Sequence, residues 1–498
     1  MLPRLPLRRI GHGRKLLGHV PRVALTLVLV SAGLAASLLS CSSAVAAEPA
    51  RRPNFVFILV DDLGWTDLAC MGGDLYETPH IDRLAREGMR FTNAYSACTV
   101  CSPTRAAVLT GKYPARLHVT DWIHGHKRPK AKLRVPNWTE YLPLEEETLA
   151  EALAPLGYAS ASIGKWHLGD DDAYFPDHQG FDLNIAGYGK GQPPHYFSPY
   201  NIPTLTDGKA GEYLTDRLTD EACSFISEHA DRPFFLYLPH YAVHTPLEAK
   251  PPAVEHLRKQ VSAELRHTNP VYAAMIQSVD DCVGRVTAAL TAAGVAEQTI
   301  IVFTSDNGGL LQSTSNVPLR AGKGSTYEGG VRVPLIIKWP GVTSPGSVSA
   351  EPVISVDFFP TILQMAGALR SPSPSIDGVS LVPVLSGKVD RLARDAIFWH
   401  YPHYHPGGAT PYGAIRAGDW KLIEFYEDMH VELYNLADDL GEQHELSEVR
   451  PEKARQLRDR LHAWRSAVGA QMPTANPDYD PAAPARPAPK RRPKQASR

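Results

Sequence analysis

The sequence predicts an α/β fold: a large mixed, mostly parallel sheet flanked by helices, then a smaller C-terminal α+β domain containing an antiparallel sheet. Three observations carry this. Asn54–Val60, Pro233–Leu238 and Thr299–Thr304 are apolar runs without polar alternation, as expected of strands buried on both faces. Between the last two, Met275, Ile276, Val279, Val283, Val286 and Leu290 recur at helical spacing, and strands alternating with helices imply a parallel sheet. Beyond residue 390 the pattern changes to short strand-like segments.

The chain opens with Arg4, Arg8, Arg9, Arg14, Lys15 and Arg22 ahead of an apolar stretch from Val23 to Ser40, which reads as an export signal over residues 1–46. Two cleavage readings compete. Ala44-Val45-Ala46 suits ordinary signal peptidase, whereas Leu38-Leu39-Ser40-Cys41 resembles a lipobox that would leave Cys41 lipidated. The expected location is periplasmic or extracellular, with a lipid anchor through Cys41 as the variant. Twelve of the 51 basic residues lie in residues 1–46 and 481–498, so the body between carries 39 basic against 53 acidic residues. That balance argues against nucleic acid as a partner, and an anionic ligand would need a local cluster of cations.

Asn54–Val60 ends in Asp61-Asp62, adjacent carboxylates that a buried strand tip tolerates if a metal ion neutralises them; a helix cap beside a solvated neighbour is the other reading. Tyr158–Ile163 is a short strand ending in Gly164-Lys165-Trp166-His167. Pro233–Leu238 leads to His240 and His244-Thr245-Pro246, and Thr299–Thr304 to Asp306-Asn307. In parallel sheets ligands gather beyond the carboxyl ends of strands, so four polar tips point to one cluster. Tyr272–Leu290 is the amphipathic helix, with Asp280 and Asp281 as a solvated face or structural contacts. Val356–Leu363 still belongs to the large domain, taken as residues 51–389. In the small domain, 390–478, Tyr412–Phe425 and Val431–Leu436 read as strands and Pro451–Val468 as a helix. Residues 479–498 form a basic Pro/Ala-rich tail expected to be disordered.

The most informative stretch is Cys101-Ser102-Pro103-Thr104-Arg105, followed by Leu109-Thr110-Gly111. Pro103 suits the first turn of a helix, which puts Cys101 at the helix mouth where unpaired N–H groups favour negative charge. Arg105, four residues on, returns to the same face. Taken by itself, Cys98-x-x-Cys101 could equally be a disulfide or half of a zinc site. Later, Gly322-Lys323-Gly324-Ser325-Thr326-Tyr327-Glu328-Gly329-Gly330 brings a lysine into a tight turn but lacks the form of a nucleotide-binding loop.

Both stretches resemble signatures of the type I, formylglycine-dependent sulfatases of the alkaline phosphatase superfamily. The resemblance covers nearly the whole chain after the signal. It implies that Cys101 is oxidised to formylglycine by a formylglycine-generating enzyme, and that the hydrated aldehyde is the nucleophile. It implies one calcium ion held by Asp61, Asp62, Asp306, Asn307 and the modified Cys101, in keeping with an all-oxygen donor set. Arg105 would stabilise the hydrate, and Lys165 and Lys323 would bind sulfate oxygens. His244 would protonate the leaving oxygen, a task Lys323 could share, and His167 would be the base that expels sulfate. The expected substrate is a sulfated carbohydrate, with aryl sulfates turned over incidentally. His124, His126, His400, His403 and His405 are candidates to line the pocket mouth, against a plain surface role for each, with Trp399–His405 the favoured contributor from the C-terminal domain. The rival readings are a phosphodiester or phosphonate monoester hydrolase of the same superfamily, a non-catalytic protein binding sulfated glycans, and a thiol redox protein using Cys98 and Cys101.

Overall fold

Strand β1 (Asn54–Val60) lies inside the large sheet, and its alternation builds two cores at once. The computed structural model describes residues 52–368 and 376–482, so the expected signal and residues 483–498 of the expected tail lie outside the described residues. With β2 (Met89–Phe91), β3 (Ala159–Ile163), β4 (Leu183–Ile185), β5 (Phe234–Pro239), β6 (Thr299–Ser305), β7 (Leu335–Lys338) and β8 (Ser347–Ser349), β1 forms an eight-stranded sheet in the order β8-β2-β7-β6-β1-β5-β3-β4. The run β6-β1-β5-β3-β4 is parallel throughout. β7 is antiparallel to both of its neighbours, and the sheet is therefore mixed but mostly parallel.

Because successive side chains leave a strand on opposite faces, Val56, Ile58 and Val60 pack on one side of β1 and Phe55, Phe57 and Leu59 on the other. The helices, in chain order, are α1 (Pro79–Glu87), α2 (Cys101–Thr110), α3 (Leu214–Glu228), α4 (Pro270–Ala292), α5 (Phe358–Met365) and α6 (Pro451–Ala467). The first face of β1 is covered by α3 and α4, the second by α2 and α5. The predicted amphipathic helix is α4, two residues longer at each end; at its start the Asn269 side chain accepts from the Val271 and Tyr272 amides and Pro270 fits the first turn. Its adjacent acids divide. Asp281 is exposed, while Asp280 is buried and accepts from the His80 and Ile81 amides at the start of α1.

The C-terminal sheet is β9 (Ile397–Tyr401), β10 (Tyr412–Ala417), β11 (Trp420–Phe425) and β12 (Val431–Asn435), antiparallel in chain order. The stretch Tyr412–Phe425 is thus two strands, reversed at Gly418, whose φ of 58° lies in the left-handed region that glycine tolerates. Ile415, Leu422 and Leu433 pack against Leu457 and Leu461 of α6. Trp399, Ala414 and Ile423, on the opposite face, pack against Tyr95, Val100 and Ala107, so the small sheet rests on the start of α2.

Candidate active site

Strands β6, β1, β5 and β3 are neighbours and run the same way, so their carboxyl ends lie side by side. Asp306 and Asn307 follow β6, Asp61 and Asp62 follow β1, His244 follows β5, and Lys165 and His167 follow β3. Asp62 and His167 have φ of 61° and 60°, a conformation non-glycine residues adopt at a cost and which clusters at functional sites. Cys101 is the first residue of α2. Its preceding residue, Val100, is extended and makes no side-chain cap, and Gly111 ends the helix at φ 70°. Every residue of α2 is buried, which holds Cys101 rigidly. Cys98 and Cys101 are both free thiols, so the pair is not a disulfide.

The cations and carboxylates interlock. Arg105 donates from Nε and Nη2 to Asp306 Oδ2 at 3.0 and 2.8 Å and from Nη1 to the Lys165 carbonyl at 2.9 Å. Lys165 Nζ donates to Asp61 Oδ2 at 2.7 Å, and Lys323 Nζ lies 2.6 Å from Asp62 Oδ1. Asn307 Nδ2 donates to Asp62 Oδ1 at 2.8 Å, and His244 Nε2 lies 3.6 Å from Asp62 Oδ2. Two buried acceptors, Asp61 Oδ1 and Asn307 Oδ1, have no hydrogen-bond donor. Burial pushes the Asp61 carboxyl well above its usual range, more than Lys165 can offset. At Asp62 burial is outweighed by Lys323 and His244, and at Asp306 by Arg105 and Lys165, so both stay below the usual range. An oxygen-rich cluster with donorless acceptors and a carboxylate in need of positive charge suits a hard divalent cation. Asp61, Asp62 and His244 have ligand atoms within 4.8 Å of one another.

His167 faces the thiol, with Nδ1 3.3 Å from Cys101 Sγ. Its Nε2 is 2.6 Å from the Ile123 carbonyl, which can only accept, so the proton sits on Nε2 and Nδ1 presents a lone pair to residue 101. Burial, with Lys165 adding to it, holds the imidazole well below its ordinary pKa and therefore neutral. Gly191 packs on the ring; a Cβ there would run into Cε1. The Ile123 carbonyl belongs to a tight loop organised by Asp121, whose Oδ1 accepts from the Trp122 amide at 2.9 Å and from the Tyr401 hydroxyl of β9 at 2.7 Å. Burial pushes the Asp121 carboxyl up to about 8.

Cys101, His167, His244 and Lys323 line a cavity of about 710 Å³, whose walls also include Trp122, Tyr188 and Lys190. Of the five extra histidines, His124 and His405 reach it. His126 is not part of that wall. His400 and His403 are buried elsewhere because their ring nitrogens serve as internal hydrogen-bond partners. His400 contacts the Tyr426 hydroxyl and the Gln471 carbonyl, and His403 contacts Thr120 Oγ1. Trp399 is likewise a core residue, so only the end of Trp399–His405 lines the cavity. Asp121, Ile123, Tyr188 and Gly191 went unread in the sequence. None stands in a strand-tip pattern, and Ile123 and Gly191 contribute a carbonyl and the lack of a side chain.

Residues 53–368 match the family model described as Sulfatase, and residues 322–467 match that described as N-sulphoglucosamine sulphohydrolase, C-terminal. A sulfatase of Formosa agariphila is 35% identical, over 88% of this chain and 93% of that protein. The N-acetylgalactosamine-6-sulfatase of Mus musculus is 37% identical, over 70% of this chain and 69% of that protein. Among solved structures, Ps i-CgsB in complex with k-i-k-neocarrahexaose superposes with a TM-score of 0.71 at 29% identity, covering 86% of this chain and 95% of that one.

Proposed function

The chain belongs to the sulfatase family and is a sulfuric ester hydrolase, and on that premise we propose that it desulfates carbohydrates with a formylglycine nucleophile made from Cys101 and one calcium ion. The observation that carries the reading is the approach of His167 Nδ1 to Cys101 Sγ, with the proton committed to Ile123. A lone pair aimed at residue 101 from a neutral imidazole is what removing a hydroxyl proton there requires. Once formed, the aldehyde supplies a hydrated carbon whose two hydroxyls serve nucleophile and release in turn. Calcium, held by Asp61, Asp62, Asp306, Asn307 and residue 101, would supply positive charge beside the nucleophile and one sulfate oxygen. The donorless Asp61 Oδ1 and Asn307 Oδ1 support that assignment.

The remaining roles follow from charge and reach. Arg105 neutralises Asp306 and, four residues from Cys101, steadies charge at residue 101. Lys323 on the cavity wall and the buried Lys165 behind it hold sulfate oxygens, exchanged from Asp62 and Asp61 toward the substrate. His244 has its Nδ1 committed to the Thr245 carbonyl at 2.9 Å, and burial together with Lys323 lowers it to about 3. A bound sulfate brings the negative charge that offsets this, so His244 and Lys323 together protonate the leaving oxygen. The carbohydrate assignment draws on the relatives named for sulfated sugars and on the aromatic walls, Trp122 and Tyr188, which suit sugar rings. We also propose export on the signal at residues 1–46, and a division of the chain near residue 390, the second sheet lying wholly beyond it. Among the described residues no helix is long and apolar enough to cross a membrane.

The test is the mass of the tryptic peptide containing Cys101, from protein made in a host with an active formylglycine-generating enzyme. Conversion lowers it by about 18 Da relative to the thiol, and an unmodified thiol would sink the proposal. In the same preparation, chelation should abolish hydrolysis of 4-nitrophenyl sulfate and calcium should restore it, while phosphate and phosphonate esters should react more slowly than sulfates.

A further inference from the structure

The cavity that holds Cys101 does not end at the reacting groups. A second cavity of about 400 Å³ adjoins it and shares Leu310, Lys323 and His405 with it. Lys323 and His405 therefore stand at a junction between two lobes. The first lobe runs out to the exposed Lys190, Gln192 and Pro194. The second runs out to Leu311, 59% exposed, and to the exposed Gln312, Pro406 and Gly407. A site built for a chain end must be closed on the side where the chain stops. Both lobes here reach solvent.

The lobes also differ in chemistry. In the first, Trp122 and Tyr188 offer aromatic surface, and Lys190 is a cation whose charge is partly met by Asp170 at 2.7 Å. Beyond the junction residues, the second is lined by Leu311, Gln312, Pro406 and Gly407 and carries no charge. An uncharged wall gives nothing to a second sulfate, whose desolvation would go uncompensated, but it accepts the C–H face of a neutral sugar ring.

We infer that the enzyme removes sulfate from a residue inside a carbohydrate chain, with an unsulfated neighbour seated in the lobe formed by Leu311, Gln312, Pro406 and Gly407. This rests on the carbohydrate reading above and adds the direction in which the chain leaves the site on both sides.

The experiment follows which sulfates are lost, by mass spectrometry and NMR, from galactan, fucan and glycosaminoglycan hexasaccharides sulfated on internal or on terminal residues. The matching monosaccharide sulfates and 4-nitrophenyl sulfate are run alongside. We expect internal sulfates to be lost with chain length unchanged, and kcat/KM on the best hexasaccharide to exceed that on its monosaccharide by about tenfold or more. Leu311→Ala and Gln312→Ala should raise KM for that hexasaccharide about threefold or more, and by a smaller factor for 4-nitrophenyl sulfate. Loss confined to terminal residues, or equal turnover of monosaccharide and hexasaccharide, overturns the inference and leaves the carbohydrate reading standing. Hydrolysis of 4-nitrophenyl sulfate with no sugar sulfate accepted overturns the carbohydrate reading itself.

Discussion

Gly191 has no side chain, and that is its contribution to the site. Its Cα rests on the His167 ring, so the methyl of alanine would push Cε1 and turn Nδ1 away from residue 101. A displacement of about 1 Å at a reacting group can cost about a hundredfold in rate. Gly191→Ala should therefore lower kcat on 4-nitrophenyl sulfate by about ten- to a hundredfold, with KM changed less than about threefold. Steady-state kinetics decide it, and an unchanged kcat would mean that His167 is not held by this contact. Asp61, Lys165, His167 and Asp306 are visible because a polar side chain at the tip of an apolar run is chemically conspicuous. Gly191 and Ile123 work through a missing side chain and a carbonyl, which any sequence carries everywhere. His400 errs the other way, its imidazole being conspicuous yet spent on Tyr426 and Gln471. Burial lowers His400 to about 4, so between there and the unfolded value near 6.5 the unfolded chain holds a proton that the native chain lacks. Stability must then fall as pH drops through that window, by about 2 kcal/mol at pH 5 from this one residue. His400→Gln should lose correspondingly less than the parent between pH 7 and pH 5 in denaturant unfolding, and parallel losses would contradict the assignment.

Among elements, the strands expected from the sequence are those long enough to show a pattern. β1, β5 and β6 have six or seven residues each, built around apolar runs of four to six. β2, β4 and β8 have three residues each, too few for any period to be read; β2 and β4 pair with the longer β7 and β3, and β8 pairs with β2 alone. The loop of Asp121–Gly125 shows no period either, though it fixes the tautomer of His167 through Ile123. Its geometry is set from a distance: Asp121 gathers the Trp122 amide from its own loop and the Tyr401 hydroxyl from β9. Removing the Tyr401 donor should loosen the carbonyl that orients the base. We expect Tyr401→Phe to lower kcat about three- to tenfold and Asp121→Ala about tenfold or more, with Asp121→Asn close to the parent because its amide oxygen still accepts both hydrogen bonds. A purely structural part for Asp121 would instead lower the melting temperature and leave kcat of the folded enzyme alone, so both are measured on each variant.

At the scale of the whole molecule, the site needs the second sheet to stay seated beside α2, and the join is ionic as well as apolar. Glu328, on the glycine-rich turn that also carries Lys323, accepts from Lys421 of β11 at 2.8 Å and from Arg332 at 2.7 Å. Lys421 Nζ also lies 2.9 Å from Glu442, and both ions of each pair with Lys421 are fully buried. Burial pushes Glu442 up to about 7 even with that lysine present. Lys421→Met keeps the length of the side chain and removes its charge, leaving Glu442 buried without its cation beside Glu328, which keeps Arg332. Breaking a buried pair by deleting one partner costs about 3–5 kcal/mol. The variant should lose stability of that order in denaturant unfolding. Because Glu328 and Lys323 share one turn, KM for 4-nitrophenyl sulfate should rise as well. Adding Glu442→Gln removes the carboxyl left unpaired, and the double variant should regain part of the loss. Additive losses would show that Glu442 and Lys421 are not coupled, and that the C-terminal sheet is held against the site by its apolar face alone.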